Sequence, residues 1–277
     1  MPQPLTDIAA LDRQRHRALA RPDPARFLHD AAIAEVQERL EMVNRGFRAP
    51  AVVTGFAPFW APAFPAARVV RDDDRLALEP GTHDLVVHAM GLHWANDPVG
   101  QLVQCRRALR PDGLFLGIFF GGQTLQELRR VLAEAESALR GGLAPRVAPM
   151  GEIRDLGALL QRAGFALPVA DTLPLTATYA TLPDLLHDLR AMGETNAMAA
   201  RDRRPLPRGV LEQAAEHYRT AFGDSDGRLP ASFELIVLTG WAPDASQPQP
   251  LRPGSATARL SDALGTVETP LPTEPSD

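Results

Sequence analysis

Two histidines near the end of a short apolar segment are the side chains best suited to acid–base chemistry. His88 lies within the segment 84–89 (DLVVHA), and His93 follows it, with Asn96 and Asp97 close behind. Because imidazole titrates near neutral pH, a histidine at such an edge can bind a substrate or act as a base. Alternatively, His93 packs the loop beneath the next helix, and Asp97 only caps that helix.

Two other groups are candidates for substrate contacts. Gly121 and Gly122 follow the apolar segment 114–120, where the lack of a side chain permits close approach of a substrate or of the next helix. Glu194 and Asn196 follow a glycine in a region of helical pattern. They can contact a substrate from a covering segment, although polar residues after a glycine are also typical of an ordinary helix end.

The composition excludes several kinds of reactive site. The chain has 277 residues with 29 basic and 34 acidic side chains, and every basic residue is an arginine. The absence of lysine excludes Schiff-base chemistry and the lysine of phosphate-binding loops. Cys105 is the single cysteine, so an intramolecular disulfide is excluded and a cysteine-built zinc site is not available. We therefore predict no metal centre.

The charge and the apolar segments also bear on partners and location. The formal net charge is −5 without any basic block, which argues against nucleic acid as the main partner. The longest apolar run, 114–120, has seven residues, far fewer than the roughly 20 needed to span a bilayer. The opening residues, MPQPLTD, are unlike a signal peptide. We therefore expect a cytoplasmic protein without a transmembrane segment.

Short apolar segments alternate with helical patterns along the chain. Segments with the length of a buried strand lie at 51–54, 67–70, 84–89, 114–120, 167–178 and 234–241. Because helices fall between most of them, the order predicts an α/β fold with right-handed crossovers and a mainly parallel sheet.

Capping signals predict where the helices begin. Asp97 is an N-cap residue followed by a first-turn proline, and it opens a helix that the turn 111–113 (PDG) ends. Thr124 and Glu127 form a capping-box pattern for a helix that runs to about residue 139. A second capping box opens the helical region 181–222.

The predicted organisation is one α/β domain with flanking segments. Residues 1–50 are predicted as a polar, arginine-rich lead and a helix, and residues 51–242 as the sheet domain. The helical region 181–222 is an insertion, because the strand after it must return to the sheet. Residues 243–277 are rich in proline and poor in large apolar side chains, which predicts a disordered tail.

Several motifs occur in an order that resembles a known family. They lie at 92–97 (LHWAND), 110–113 (RPDG), 120–125 (FGGQTL), 188–196 (DLRAMGETN) and 226–231 (DGRLPA). Together they resemble the methyltransferase-like, arginine-hydroxylase type assembly factors of respiratory complex I. A more distant resemblance is to the malonyl-carrier-protein O-methyltransferases of biotin synthesis. Both families belong to the class I methyltransferases that depend on S-adenosyl-L-methionine (SAM).

The resemblance implies a Rossmann-like class I methyltransferase sheet, mainly parallel with an antiparallel last strand, and SAM as the cofactor. In such a sheet a ligand lies in the crevice at the carboxyl ends of the strands. On this basis we expect Gly55, Asp72 and His88 to bind the cofactor. The residues expected to bind a substrate are His93, Gly121, Gly122, Glu194 and Asn196.

The sequence departs from the family after the first predicted strand. Where the family has an acid and a Gly-x-Gly-x-Gly turn, this chain has Val53 and then Thr-Gly-Phe-Ala-Pro, which retains only Gly55. Phenylalanine and proline cannot adopt positive φ freely, so the turn is degenerate as a cofactor loop. The stretch before the segment 84–89 is also shorter than the family's by about one strand and one helix.

Three functions are compatible with these features. The first is a SAM-dependent enzyme of this family that acts on or assembles a protein partner, with a complex I subunit as the partner that the resemblance implies. Some relatives are associated with arginine hydroxylation. The second is a catalytically inactive relative that keeps the fold as a binding or assembly module. The third is a carboxyl O-methyltransferase for a carrier-bound or small-molecule acid.

Overall fold

The computed structural model describes residues 4–248 and 265–266. The chain divides into two compact units, Met1–Asp244 and Ala245–Asp277. The first unit contains every helix and strand that the described residues form. The tail predicted as disordered, 243–277, lies mostly outside the described residues, so that expectation stays a prediction.

A mixed sheet forms the centre of the first unit. Within the described residues its six strands are β1 Pro50–Val53, β2 Arg68–Val70, β3 His83–Ala89, β4 Leu109–Phe120, β5 Ala166–Tyr179 and β6 Leu229–Trp241. They are hydrogen-bonded in the order β2-β1-β3-β4-β6-β5. The first four strands pair in parallel, whereas β6 is antiparallel to both β4 and β5. The predicted α/β sheet with an antiparallel last strand is therefore confirmed.

Within the described residues, one strand, β2, lies beyond β1 at this edge of the sheet. In the described chain between β1 and β3 the regular elements are β2 and a four-residue helix, α3 Ala57–Trp60. β2 pairs directly with β1, with Val52 opposite Val69. The shortening relative to the family that the sequence predicts stays a prediction, but this stretch holds few regular elements. The pairing of β2 with β1 places the residues that follow β2 beside the turn that follows β1.

Helices cover both faces of the sheet. They are α1 Ile8–Leu19, α2 Phe27–Val43, α4 Pro98–Ala108, α5 Gln126–Arg140, α6 Ile153–Arg162, α7 Leu182–Met192 and α8 Arg208–Phe222, with a 3₁₀ turn at Leu92–Trp94. Because strand side chains alternate between faces, Val87 packs in one core with α2, α5, α7 and α8. Val86 packs in the other core with α4 and α6. None of the helices in the described part of the chain is long and apolar enough to cross a membrane.

Two predicted helix caps are present. The Asp97 carboxylate accepts a hydrogen bond from the backbone N–H of Gly100 at 2.8 Å and caps α4. The Thr181 hydroxyl accepts from the backbone N–H of Asp184 at 3.3 Å and caps α7. Each satisfies one of the N–H groups that the first turn of a helix leaves without an intrahelical partner.

The capping box predicted at the start of α5 is wrong. The helix begins at Gln126, and no side chain caps it. The Thr124 hydroxyl instead donates to the backbone carbonyl of Glu234 at 3.2 Å, and the Glu127 carboxylate accepts from Ser232. Both side chains form hydrogen bonds with β6 because that strand lies against the turn between β4 and α5. The tertiary contact replaces the local one.

Two other predicted boundaries differ from the structure. The segment described as a polar, arginine-rich lead contains a helix, α1, in which Leu11 and Ala18 are buried. The predicted turn at 111–113 lies inside β4, which begins at Leu109. Asp112 adopts a positive φ of 57° there, and its backbone N–H pairs with a carbonyl that follows β6. The chain therefore continues as a strand through a residue that locally favours a turn.

Candidate functional site

The carboxyl ends of β1, β2 and β3 meet at one edge of the sheet. Because these strands are parallel neighbours, the residues that follow them converge, with Gly55 after β1, Asp72 after β2 and His93 after β3. His88 lies within β3, opposite Val53. The three residues expected to bind the cofactor are thus neighbours at this edge, which we call the crevice.

Arg15 of α1 fills the crevice above Gly55. Its Nη1 donates to Asp72 Oδ1 at 2.8 Å, and the two side chains are each only 5% exposed. The guanidinium also lies 5.3 Å from the ring centroid of Phe56. A methyl group added at Gly55 would collide with this guanidinium. In the sequence, Arg15 is marked only by its place in an arginine-rich segment. Its position beside β1 results from the packing of α1, which the local sequence does not predict.

His88 belongs to the same buried network. Its Nε2 donates to Gln101 Oε1 at 2.7 Å. The Gln101 amide in turn donates to the backbone carbonyls of Asp72 and Asp73, each at 3.2 Å. Burial lowers the pKa of His88, so the neutral imidazole is favoured. In this arrangement His88 connects β3 through α4 to the loop that follows β2.

His93 and Glu194 meet beside the crevice. Glu194 Oε2 accepts a hydrogen bond from Trp94 Nε1 at 2.7 Å and lies 3.2 Å from His93 Nε2. Burial opposes ionisation of the Glu194 carboxyl, but His93, Arg15 and the hydrogen bonds outweigh this effect and lower its pKa. A buried carboxylate therefore joins two sequence motifs that lie about a hundred residues apart.

An aromatic cluster packs beside Arg15. Phe56 stacks on Phe59 with ring centroids 5.7 Å apart, and the imidazole of His29 lies 4.4 Å from the ring of Phe56. Trp60 Nε1 donates to His29 Nδ1 at 3.1 Å. Burial lowers the pKa of His29 to about 4, so this histidine is neutral at pH 7. Its sequence spacing is that of an ordinary core position of α2.

The crevice residues do not fit SAM as they stand. The place over Gly55 is taken by Arg15, and the carboxylate of Asp72 already accepts from that guanidinium. Nε and Nη2 of Arg15 are buried and have no partner among the described residues. SAM carries a positively charged sulfonium, and a second buried cation at the same place opposes its binding. Binding of SAM at Gly55 therefore requires Arg15 to move.

A cavity of about 760 Å³ adjoins the crevice. Two of the residues expected to bind a substrate, Glu194 and Asn196, line it together with Trp94. Asn196 is held by its own hydrogen bonds, since its amide donates to the carbonyl of Pro145 at 2.7 Å and accepts from the N–H of Met198 at 3.0 Å. The Trp94–Glu194 pair thus belongs both to the buried cluster and to the cavity wall.

Gly121 and Gly122 are not among the residues that line this cavity. An added side chain would meet the Glu234 carboxylate at Gly121 and the Glu152 carboxylate at Gly122. The two glycines therefore permit close packing of the turn after β4. These neighbours belong to β6 and to the residue before α6, whereas the sequence predicted close approach to a substrate or to the next helix, so the substrate role stays a prediction.

The last candidates are the side chains that could bind a metal ion and the single cysteine. Among the described residues, no group of three or more histidine, cysteine, aspartate or glutamate side chains is placed to hold a metal ion. Cys105 is buried in α4, and burial raises the pKa of its thiol. The reactive thiolate is therefore disfavoured, and packing is the role that its position supports.

Comparisons with known sequences agree with the resemblance. A family model described as a methyltransferase domain matches residues 57–117, which begin just after the glycine turn. Human "Arginine-hydroxylase NDUFAF5, mitochondrial" is 38% identical over 208 residues, covering 75% of this chain and 60% of that protein. "Malonyl-[acyl-carrier protein] O-methyltransferase" of Laribacter hongkongensis is 35% identical over 182 residues, covering 65% of this chain and 58% of that protein. The chain thus spans less than two thirds of the length of either relative.

The solved structures that match are more distant. A SAM-dependent methyltransferase from Thermotoga maritima is 11% identical, with a TM-score of 0.44, and the match covers 84% of this chain and 99% of that one.

Proposed function

This chain is similar to the class I methyltransferases. From that premise we propose that it acts on a protein partner as an assembly factor and that the partner docks at the cavity. The resemblance to the complex I assembly factors makes a complex I subunit the expected partner. The methyltransferase-domain match supports SAM as the cofactor of this family. The cytoplasmic location expected from the sequence is part of the proposal.

The observation that carries this proposal is the meeting of two family motifs at the cavity. The motif at 92–97 supplies Trp94, and the motif at 188–196 supplies Glu194, with 2.7 Å between Nε1 and Oε2. Both side chains line the cavity. Both motifs thus contribute to one wall of the cavity, which supports a shared role in binding in addition to their contribution to stability.

A second candidate is a binding module without methyl transfer. The buried Arg15–Asp72 pair supports it, because the crevice is then part of the protein core while the cavity remains open to a partner. The third candidate, carboxyl O-methylation of a carrier-bound or small-molecule acid, requires SAM in the crevice and shares that obstacle.

Site-specific photocrosslinking tests the partner-binding role. A photoreactive amino acid replaces Leu211, which lines the cavity, or Arg154, which is exposed on α6 at the opposite face of the sheet. The expected result is a crosslink from position 211 to a complex I subunit, reduced by Glu194→Gln. Equal crosslinking from both positions, or no crosslink to any such subunit, contradicts the proposal.

A further inference from the structure

We propose that the cavity is a binding site for an amphipathic anion, a ligand with an apolar chain and one carboxylate or phosphate end. This inference goes beyond the proposed function, because it requires neither SAM nor a protein partner. Cavities of roughly 300–1,000 Å³ with mainly apolar walls and a few polar groups are typical of small-molecule sites. At about 760 Å³ this cavity lies within that range.

The inner wall of the cavity is apolar. It is built from side chains of β4, α5, α8 and β6, namely Phe120, Leu128, Leu132, Leu211 and Phe233. All except Leu211 are buried in the principal core, so the wall is well supported. Binding of an apolar chain against it is favoured because apolar surface of both is removed from water.

The charges of the cavity favour an anion. Five arginines contribute to its lining, Arg17, Arg21, Arg146, Arg190 and Arg201, against two acids, Glu194 and Asp202. Asp202 is paired with two arginines at 3.3 and 3.4 Å, and Glu194 Oε2 is engaged by Trp94 and His93, whereas Glu194 Oε1 is buried and has no partner among the described residues. Arg146 is paired with Glu136 and Arg201 with Asp7, at 2.7 and 2.9 Å, so the positive charge without an acidic partner among the described residues comes from Arg17, Arg21 and Arg190.

Two of these guanidiniums are available to a ligand. Arg17 and Arg190 make no ion pair or hydrogen bond within the described residues, and both are exposed at the ends of α1 and α7. Within the part of the chain that the structure describes, the hydrogen bond of the nearby Arg21 side chain is to His187, with 2.7 Å between Nη2 and Nε2. Guanidinium groups are suited to carboxylate and phosphate, which they bind in a bidentate manner.

The same charges disfavour a cationic ligand. Some relatives are named arginine-hydroxylases, and the partnerless Glu194 Oε1 lies in the wall, but a cation placed beside the exposed Arg17 and Arg190 would face like charges. These exposed arginines favour an acid with an apolar body. An acidic protein segment has related chemistry, and the experiment distinguishes it from a small ligand.

Calorimetric titration with ten-carbon probes tests this inference on the full chain. The probes are decanoate, decyl phosphate, decanol and decyltrimethylammonium, all below the concentrations at which they form micelles. Both anions are expected to bind at one site at least about tenfold more tightly than decanol, as charged hydrogen bonds contribute about 1.5–3 kcal/mol. The cation is expected not to bind.

Two matched double variants locate the anionic end. Arg17→Gln/Arg190→Gln is expected to weaken decanoate binding at least about tenfold and to leave decanol binding unchanged. Arg13→Gln/Arg154→Gln removes two exposed arginines outside the cavity wall and is expected to change neither. Leu211→Trp narrows the cavity and is expected to weaken all probes that bind.

Three outcomes would overturn the inference. They are equal affinity for decanoate and decanol, an equal effect of the two double variants, and binding of an acidic leucine-rich peptide without binding of either decyl anion. The last outcome would assign the cavity to a protein segment. No partner protein is present in these titrations. A negative titration result would therefore not change the outcome of the crosslinking test of the proposed function.

Discussion

Buried charges in this protein are compensated by side chains from distant parts of the chain. Arg15 pairs with Asp72, 57 positions later, and Glu194 bonds Trp94, 100 positions earlier. A buried charge that loses its partner remains desolvated, which is costly. Such pairs therefore hold separate segments in one arrangement, and they are sensitive to substitution and to pH.

Glu194→Gln tests the ionised state of this carboxyl. The pKa of Glu194 is lowered below its usual value of 4.5 in the folded protein, so its charge stabilises the fold above that pH. This contribution is lost as the pH falls through the folded pKa. We expect the variant to lose about 2 kcal/mol of unfolding free energy at pH 7 and less at pH 4, measured by urea denaturation.

Glu216→Gln is the control for this prediction. Glu216 also has a lowered pKa, through Arg219, but it is exposed on α8 and screened by solvent. We expect a much smaller change at both pH values. An equal loss for Glu194→Gln at pH 7 and pH 4 would show that packing, and not the carboxylate charge, causes its effect.

At the scale of elements, α7 positions one side of the cavity. Thr181 caps the N-terminus of the helix and Gly193 caps its C-terminus. Gly193 has a φ of 80°, which a residue with a side chain rarely adopts. Arg190 lies in its last turn, and Glu194 follows the terminal glycine. Because both ends are defined by specific residues, the cavity wall depends on where this helix begins and ends.

Thr181→Ala tests the N-terminal cap of α7. Loss of the hydroxyl leaves the Asp184 N–H without its acceptor, and we expect the unfolding free energy to fall by about 1 kcal/mol. Thr181→Ser should restore most of it, because serine caps equally well. Thr220→Ala, in an exposed position of α8, serves as the control. A loss of the same size in Thr220→Ala, or no recovery with serine, would argue against a capping role.

For the molecule as a whole, α1 connects the crevice to the cavity. Arg15 lies in the crevice, while Gln14 and Arg17 of the same helix line the cavity. Gln14 donates to the backbone carbonyl of Asn196 at 3.2 Å, which ties the helix to the segment after α7. A movement of α1 that displaces Arg15 would therefore also move residues that line the cavity.

Arg15→Ala tests whether this side chain closes the crevice to SAM. Removal of the guanidinium frees the space over Gly55 and removes a like charge, so we expect SAM and S-adenosylhomocysteine to bind at least about tenfold more tightly than to the wild type. Arg15→Met retains most of the bulk without the charge and separates the two causes. The measurement is calorimetry at matched protein concentration, with folding verified by thermal unfolding.

Arg13→Ala, on the exposed side of the same helix, is the matched control and is expected to bind like the wild type. Equal SAM affinity in the wild type and all three variants would remove Arg15 from any role in cofactor access. A gain restricted to Arg15→Ala would identify bulk as the obstacle, and a gain in Arg15→Met as well would identify charge.

Much of the fold was predictable because its signals are local. Apolar segments of strand length and the caps at Asp97 and Thr181 are read from neighbouring residues, and the structure contains them. Thr124 and Glu127 carry an equally good capping pattern, yet both bond to β6. The difference is that a strand from the far end of the chain offers these two side chains competing partners.

The sequence by itself determined the order of strands and helices and the mainly parallel sheet, because these depend on periodicity, residue type and spacing along the chain. The antiparallel last strand was implied by the family resemblance. Only the tertiary structure decided that Arg15 covers Gly55, that Glu194 joins His93 and Trp94, and that arginines gather around one apolar cavity. Each of these depends on contacts between residues far apart in sequence, whose distances arise only when the helices pack against the sheet.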